Sequence, residues 1–136
     1  MNVMMSNLSA PSTQTTAPRI SLPKLLLHLE GLANFITAIA LYANQQGNWW
    51  TFALLLFTPD VAMLGYLHST RLGAFTYNLA HTYITPLLLI ALSVAIASPL
   101  LMHLALILLA HIGMDRMVGY GMKYPTAFKD THLGKV

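Results

Sequence analysis

Four apolar stretches, each long enough as a helix to cross a bilayer, follow one another with only a few polar residues between them. A spanning helix needs about 20 predominantly apolar residues, and the stretches run over about 24–43, 49–67, 72–96 and 100–120. Asn44-Gln45-Gln46-Gly47-Asn48, His68-Ser69-Thr70-Arg71 and Ala97-Ser98-Pro99 separate them, and Trp49 and Trp50 stand where interfacial anchors belong. Connections this short force sequential neighbours to run antiparallel. The expected fold is therefore all-α, an integral membrane four-helix up-down bundle. Composition agrees, since the chain is 56% hydrophobic and only 8% charged, against roughly a quarter charged in soluble domains. The absence of Cys excludes disulfides, thiolate metal sites, iron–sulfur clusters and cysteine nucleophiles.

Residues 1–20, rich in Ser, Thr, Pro, Gln and Asn, are expected to form a disordered polar tail. The bundle occupies 21–120, and 121–136 is a second tail mixing basic and aromatic residues. All seven basic residues, Arg19, Lys24, Arg71, Arg116, Lys123, Lys129 and Lys135, fall on one side of this arrangement. The turns at 44–48 and 97–99 contain none, so the positive-inside rule places both termini and the 68–71 turn in the cytoplasm.

Against this apolar background five ionisable residues sit inside the stretches: Glu30, Asp60, His81, His111 and Asp115. A charge at the centre of a bilayer costs at least ~2.5–3.5 kcal/mol, so each marks a candidate functional site. At ~1.5 Å per residue they lie roughly 7–13 Å in from the cytoplasmic side, at least one from every stretch. Helical spacing adds Asn34, one turn from Glu30, and Asn78, three residues before His81. Pro59 frees the carbonyl of Leu55 and Pro86 that of Thr82, and such carbonyls are expected to line a polar cavity.

Several roles are open to this set. His81, His111 and Asp115 suit a divalent metal (Zn, Fe or Mn), with Asp60 a further ligand or base and Glu30 a base. Without metal, Glu30, Asp60 and Asp115 suit acid–base isomerisation or cyclisation of a prenyl-type lipid. Other readings are a hydrogen-bonded network that only locks the helices, a proton or ion path, and haem held by His81 and His111. The tail is expected to fold over the cavity mouth, where Arg71, Arg116, Lys123 and Lys129 would hold an anionic headgroup. Gly65, Gly73 and Gly113 are expected to permit close helix approach. His28 and His103, near the ends of stretches, are expected to be ordinary amphipathic rings.

The runs Leu-Glu-Gly-Leu-Ala (29–33), Pro-Asp-Val-Ala-Met-Leu-Gly-Tyr (59–66), Tyr-Asn-Leu-Ala-His-Thr-Tyr (77–83) and Ala-His-Ile-Gly-Met-Asp-Arg (110–116) resemble a small bacterial membrane family, domain of unknown function 4260. Gly-Tyr-Gly-Met-Lys-Tyr-Pro-Thr-Ala-Phe-Lys-Asp-Thr-His-Leu-Gly (119–134) carries the same resemblance, which covers about 25–134. It implies a short multi-span protein of the bacterial inner membrane and supplies no activity or catalytic residue. The intramembrane His and Asp are also similar to those that alkaline ceramidase-like hydrolases set around zinc, although this chain has fewer histidines and fewer spans. The expectation is a membrane-embedded enzyme acting on a lipid or amphiphile at the cytoplasmic leaflet. The alternatives are a proton- or ion-coupled carrier, as a homo-oligomer, and an accessory bundle without chemistry. Membrane lipid is the expected partner and nucleic acid is not.

Overall fold

The computed structural model describes residues 20–136. The tail expected over 1–20, with Arg19, lies outside the described residues except for Ile20. Five α-helices account for most of the rest: α1 (Leu22–Asn44), α2 (Trp49–Leu55), α3 (Thr70–His81), α4 (Ile84–Ala95) and α5 (Pro99–Val118). A 3-10 segment, Thr58–Leu67, continues α2, and a short 3-10 turn, His132–Gly134, lies in the tail. Polar caps start the helices. The side chains of Ser21, Asn48, Ser69 and Ser98 accept backbone N–H groups of the first turns of α1, α2, α3 and α5, filling donors that a helix start leaves free.

Three segments are long and apolar enough to cross a membrane: Leu22–Asn44, Trp49–Leu67 and Pro99–Val118. The bent pair α3–α4 makes a fourth if it is one span. The stretch expected as one helix over 72–96 is thus two helices at 46° to each other. Pro86 has no N–H for the Thr82 carbonyl, and Thr82 leaves the helix with ψ 142°. The Thr85 N–H takes that carbonyl at 3.3 Å. Pro59 breaks the second stretch likewise, and the Thr58 hydroxyl donates to the freed Leu55 carbonyl at 2.7 Å. Both proline-freed carbonyls are satisfied locally by threonines rather than turned into a polar cavity.

Helix α5 is the axis of the molecule, with ten buried residues from Ala105 to Arg116. Helix α1 packs along it in the opposite direction: His28 meets Met117 and, at the other end, Gln45 meets His103. The two backbones touch between glycines. A Cβ on Gly113 would lie 2.6 Å from the Phe35 nitrogen, and one on Gly31 2.5 Å from the Met117 nitrogen. Gly65 against Gly73 brings the 3-10 segment onto α3 in the same way. His28 and His103 face the C-terminal carbonyls of the partner helix, Met117 at 2.7 Å and Gln45 at 3.1 Å, groups that a helix end leaves unpaired. Large apolar side chains such as Leu26, Ile36, Leu54, Leu88 and Leu100 stay exposed on the outer faces, the pattern of helices that face lipid. Ala38, Tyr42, Phe52, Leu106, Ile107, Leu109 and Ala110 form an apolar core. The polar groups gather toward the C-terminal half of α5, where most basic residues also lie.

Candidate metal centre

Helix α3 ends in His81, one turn after Tyr77. The two rings stack at 3.7 Å and 12°, and His81 Nδ1 lies 2.8 Å from the Tyr77 carbonyl oxygen. A carbonyl only accepts, so Nδ1 carries the proton and Nε2 presents its lone pair. Helix α5 supplies His111 and Asp115, one turn apart. Asp60 comes from the 3-10 segment, which the Pro59 break redirects toward α3 and α5.

Ligand atoms of these four residues all lie within 4.8 Å of one another. His81 Nε2 is 2.9 Å from His111 Nε2, and 3.5 and 3.6 Å from Asp60 Oδ1 and Asp115 Oδ2. His111 Nε2 is 3.6 and 3.7 Å from the same oxygens. Ligands about 2.0–2.1 Å from a central ion at tetrahedral angles are separated by roughly 3.3 Å, and these five separations bracket that value. The imidazole–carboxylate distances are too long for hydrogen bonds, and the His81 Nε2 lone pair accepts from His111 Nε2–H at 2.9 Å. Among the described residues, no Arg or Lys lies within ion-pairing distance of Asp60 or Asp115. Two imidazoles and two carboxylates gathered within 4.8 Å of one another are a donor set that suits a divalent cation.

Surrounding groups orient this set. The Tyr77 hydroxyl donates to Asp115 Oδ2 at 3.2 Å, and the Tyr77 carbonyl fixes the His81 tautomer, the kind of outer-shell support that tunes metal ligands. Both histidines are fully buried, while the side chain of Asp60 is 36% exposed. Asp60 and Asp115 form one wall of a cavity of ≈ 300 Å³ that Met63, Tyr77, Tyr120, Lys123 and Phe128 complete.

The C-terminal tail builds the outer part of that cavity. Gly119, at φ 103°, ends α5 and turns the chain back. The Tyr120 N–H reaches the Asp115 carbonyl and the Gly119 N–H that of Arg116, a Schellman ending. The Asn78 side chain then grips the Lys123 backbone twice, donating to its carbonyl at 2.8 Å and accepting its N–H at 2.7 Å. Lys123 pairs across the tail with Thr131 as an antiparallel bridge. Its ammonium lies 3.4 Å from the Phe128 ring centre and 4.5 Å from that of Tyr77. Burial holds that ammonium below the ordinary lysine range, against the pull of Asp60 and Asp115.

The structure thus brings Asp60, His81, His111 and Asp115 together and leaves Glu30 out. Glu30 is exposed on α1, and its carbonyl accepts from the Asn34 side chain at 2.9 Å. Asn78 supports the tail rather than the four-residue cluster. Arg71 and Lys129 are exposed. Arg116 is buried, its guanidinium donating to the His81 carbonyl at 3.0 Å and the Tyr120 carbonyl at 2.7 Å. It therefore closes the α3 break instead of facing a headgroup. His81 and His111 do not suit one haem: axial nitrogens stand roughly 4 Å apart, two metal–nitrogen bonds, with the macrocycle between them. Tyr77 escaped the sequence reading, although its one-turn spacing to His81 was a usable signal.

Fold and site define an all-helical protein with apolar helices of membrane-spanning length and a cluster of two histidines and two aspartates, buried except at Asp60. The chain belongs to the family described as Domain of unknown function (DUF4260), whose model matches residues 24–136. No curated protein and no solved structure matches it.

Proposed function

We propose that this chain is a multi-pass bundle of the bacterial inner membrane, both termini cytoplasmic, and that it is a metal-dependent hydrolase acting on a lipid or other amphiphile. The observation that carries the reading is the convergence of His81 Nε2, His111 Nε2, Asp60 Oδ1 and Asp115 Oδ2 at ligand-to-ligand spacing beside a cavity. His81, His111 and Asp115 are the ligands of a Zn, Fe or Mn ion. Such an ion supplies a Lewis acid and lowers the pKa of a bound water. Asp60, the most exposed of the four, either completes the ligand set or takes the proton of the attacking water and passes it to the leaving oxygen. Water adds across the bond and no electrons are exchanged. The basic surface of Arg71 and Lys129 supports the cytoplasmic orientation and draws the site toward anionic lipid, at about 1 kcal/mol per charge.

Elemental analysis of the full chain, purified in neutral detergent and equilibrated with Zn, Mn or Fe(II), tests this. The expected result is one ion per chain in the wild type and in Glu30→Gln, and loss in His81→Ala and Asp115→Ala. A wild-type protein that retains none of the three ions overturns the reading.

A further inference from the structure

Two cavities lie on the elements that build the cluster, and they differ in kind. The polar one, of ≈ 300 Å³, holds Lys123, Tyr120 and the exposed edge of Asp60. The other, of ≈ 330 Å³, is lined mainly by apolar side chains, among them Leu55, Pro59, Ala80, Leu89, Leu104 and Leu108. The order of residues along α5 and the second stretch relates them. Along α5, Leu104 and Leu108 line the apolar groove, His111 and Asp115 come next, and Tyr120 and Lys123 line the polar cavity beyond. In the second stretch Pro59 lines the groove and Asp60 the cavity. In α3, Tyr77 lines the cavity, Ala80 the groove, and His81 belongs to the cluster. The four-residue cluster therefore stands at the junction between an apolar groove within the spans and a polar cavity on their basic side.

Lys123 is the one basic residue on the wall of the polar cavity, across from the cluster carboxylates Asp60 and Asp115. Its ammonium is enclosed by the rings of Tyr66, Tyr77 and Phe128 and by the sulfur of Met63. Among the described residues no carboxylate lies within ion-pairing distance of it. With Asp60 and Asp115 engaged by a bound cation, that buried ammonium is left without a counter-anion, which is costly, and a ligand anion would relieve it. The groove is at the small end of ligand pockets, room for one aliphatic chain rather than two.

We infer that the site binds an anionic single-chain amphiphile, its head on the Lys123 ammonium, its chain in the Leu55–Leu108 groove, and the bond between them beside the four-residue cluster. This names the substrate class of the proposed enzyme, and the part that concerns the bond rests on that reading. Binding itself rests on Lys123, on the groove and on neutralisation of Asp60 and Asp115 in the head cavity.

The test uses the full chain in neutral detergent, both metal-stripped and metal-loaded, incubated with dodecyl phosphate, dodecanoate or dodecyltrimethylammonium. Native mass spectrometry counts the amphiphile retained per chain. One anionic amphiphile per chain is expected, with the cationic probe held at least about tenfold more weakly. The more tightly held of the two anions identifies the head. Lys123→Met should weaken the anions at least about tenfold and Lys123→Arg should not. Leu104→Trp, which fills the groove, should shift preference from dodecyl to octyl phosphate. Equal retention of cationic and anionic probes, wild-type retention by Lys123→Met, or unchanged chain-length preference in Leu104→Trp overturns the inference. Selective retention by a protein that binds no divalent ion sinks the metal-enzyme reading alone. Metal-loaded protein without anion selectivity sinks only this one.

Discussion

His81 and His111 meet at 2.9 Å through their Nε2 atoms, both rings fully buried, yet they are held in different ways. His81 is fixed by the Tyr77 carbonyl and by stacking on the Tyr77 ring. His111 Nδ1 is buried without a hydrogen-bond partner, so that ring is held by packing and by its Nε2 contact with His81. Tyr77 also reaches Asp115, which makes it the residue on which the geometry of the cluster most depends.

Tyr77→Phe keeps the stacked ring and removes the hydroxyl on Asp115. Zinc affinity, read by competition with a chelating dye, should fall about tenfold or more, as for other lost outer-shell partners, with melting little changed. Unaltered affinity would detach Tyr77 from the site.

Arg116 joins the broken end of α3 to the start of the tail. Arg116→Leu leaves the buried carbonyl of His81 and the part-buried one of Tyr120 unpaired, a loss of roughly 1–3 kcal/mol for the buried group. Arg116→Lys should recover only part, because an ammonium lacks the forked geometry that serves two carbonyls. Denaturation in detergent reads both, and wild-type stability in Arg116→Leu would remove the guanidinium from this role.

Gly113→Ala places a methyl group against the Phe35 backbone, which cannot rotate away. Separating α1 from α5 should cost about 1–3 kcal/mol. Gly134→Ala, where the nearest atom to an added Cβ is 3.5 Å away, should melt like the wild type. Equal melting of the two variants would mean that the helices are not in close contact at Gly113.

The tail should loosen in acid. The Met122 N–H donates to His132 Nδ1 at 2.8 Å, which requires that nitrogen to be unprotonated. Burial first, then the charge of Arg116, holds the His132 pKa below its ordinary value of 6.5. The folded tail binds the proton less tightly than the unfolded chain does. Its stability is therefore complete above pH about 6.5 and is lost as pH falls below that value. Amide exchange at Met122 should accelerate between pH about 7 and 5 beyond the intrinsic change, and His132→Ala should abolish that dependence. A flat profile in the wild type would count against the contact.

Hydropathy made the apolar segments legible because it depends on each residue's own transfer free energy. The breaks were half legible. Pro59 and Pro86 announced where hydrogen bonds fail, while the 46° bend of α3 against α4 depends on what packs beside the break. Glu30 shows the limit: in sequence it is as costly as Asp60, yet the rotation of α1 on α5, set where Gly31 meets Gly113, leaves it on the outer face. Arg116 is the converse, a basic residue expected to hold a headgroup whose guanidinium closes the end of a helix inside.

By itself the sequence determined that this chain makes apolar helices with rare ionisable residues toward one side, because burial cost and helical rise are local quantities. Only the tertiary structure decided that Asp60, His81, His111 and Asp115 share one point and that Tyr77 and Lys123 attend them. Helix rotation, the turn of a broken segment and the path of a folded-back tail are fixed by contacts between residues far apart in the chain, and no local pattern encodes those contacts.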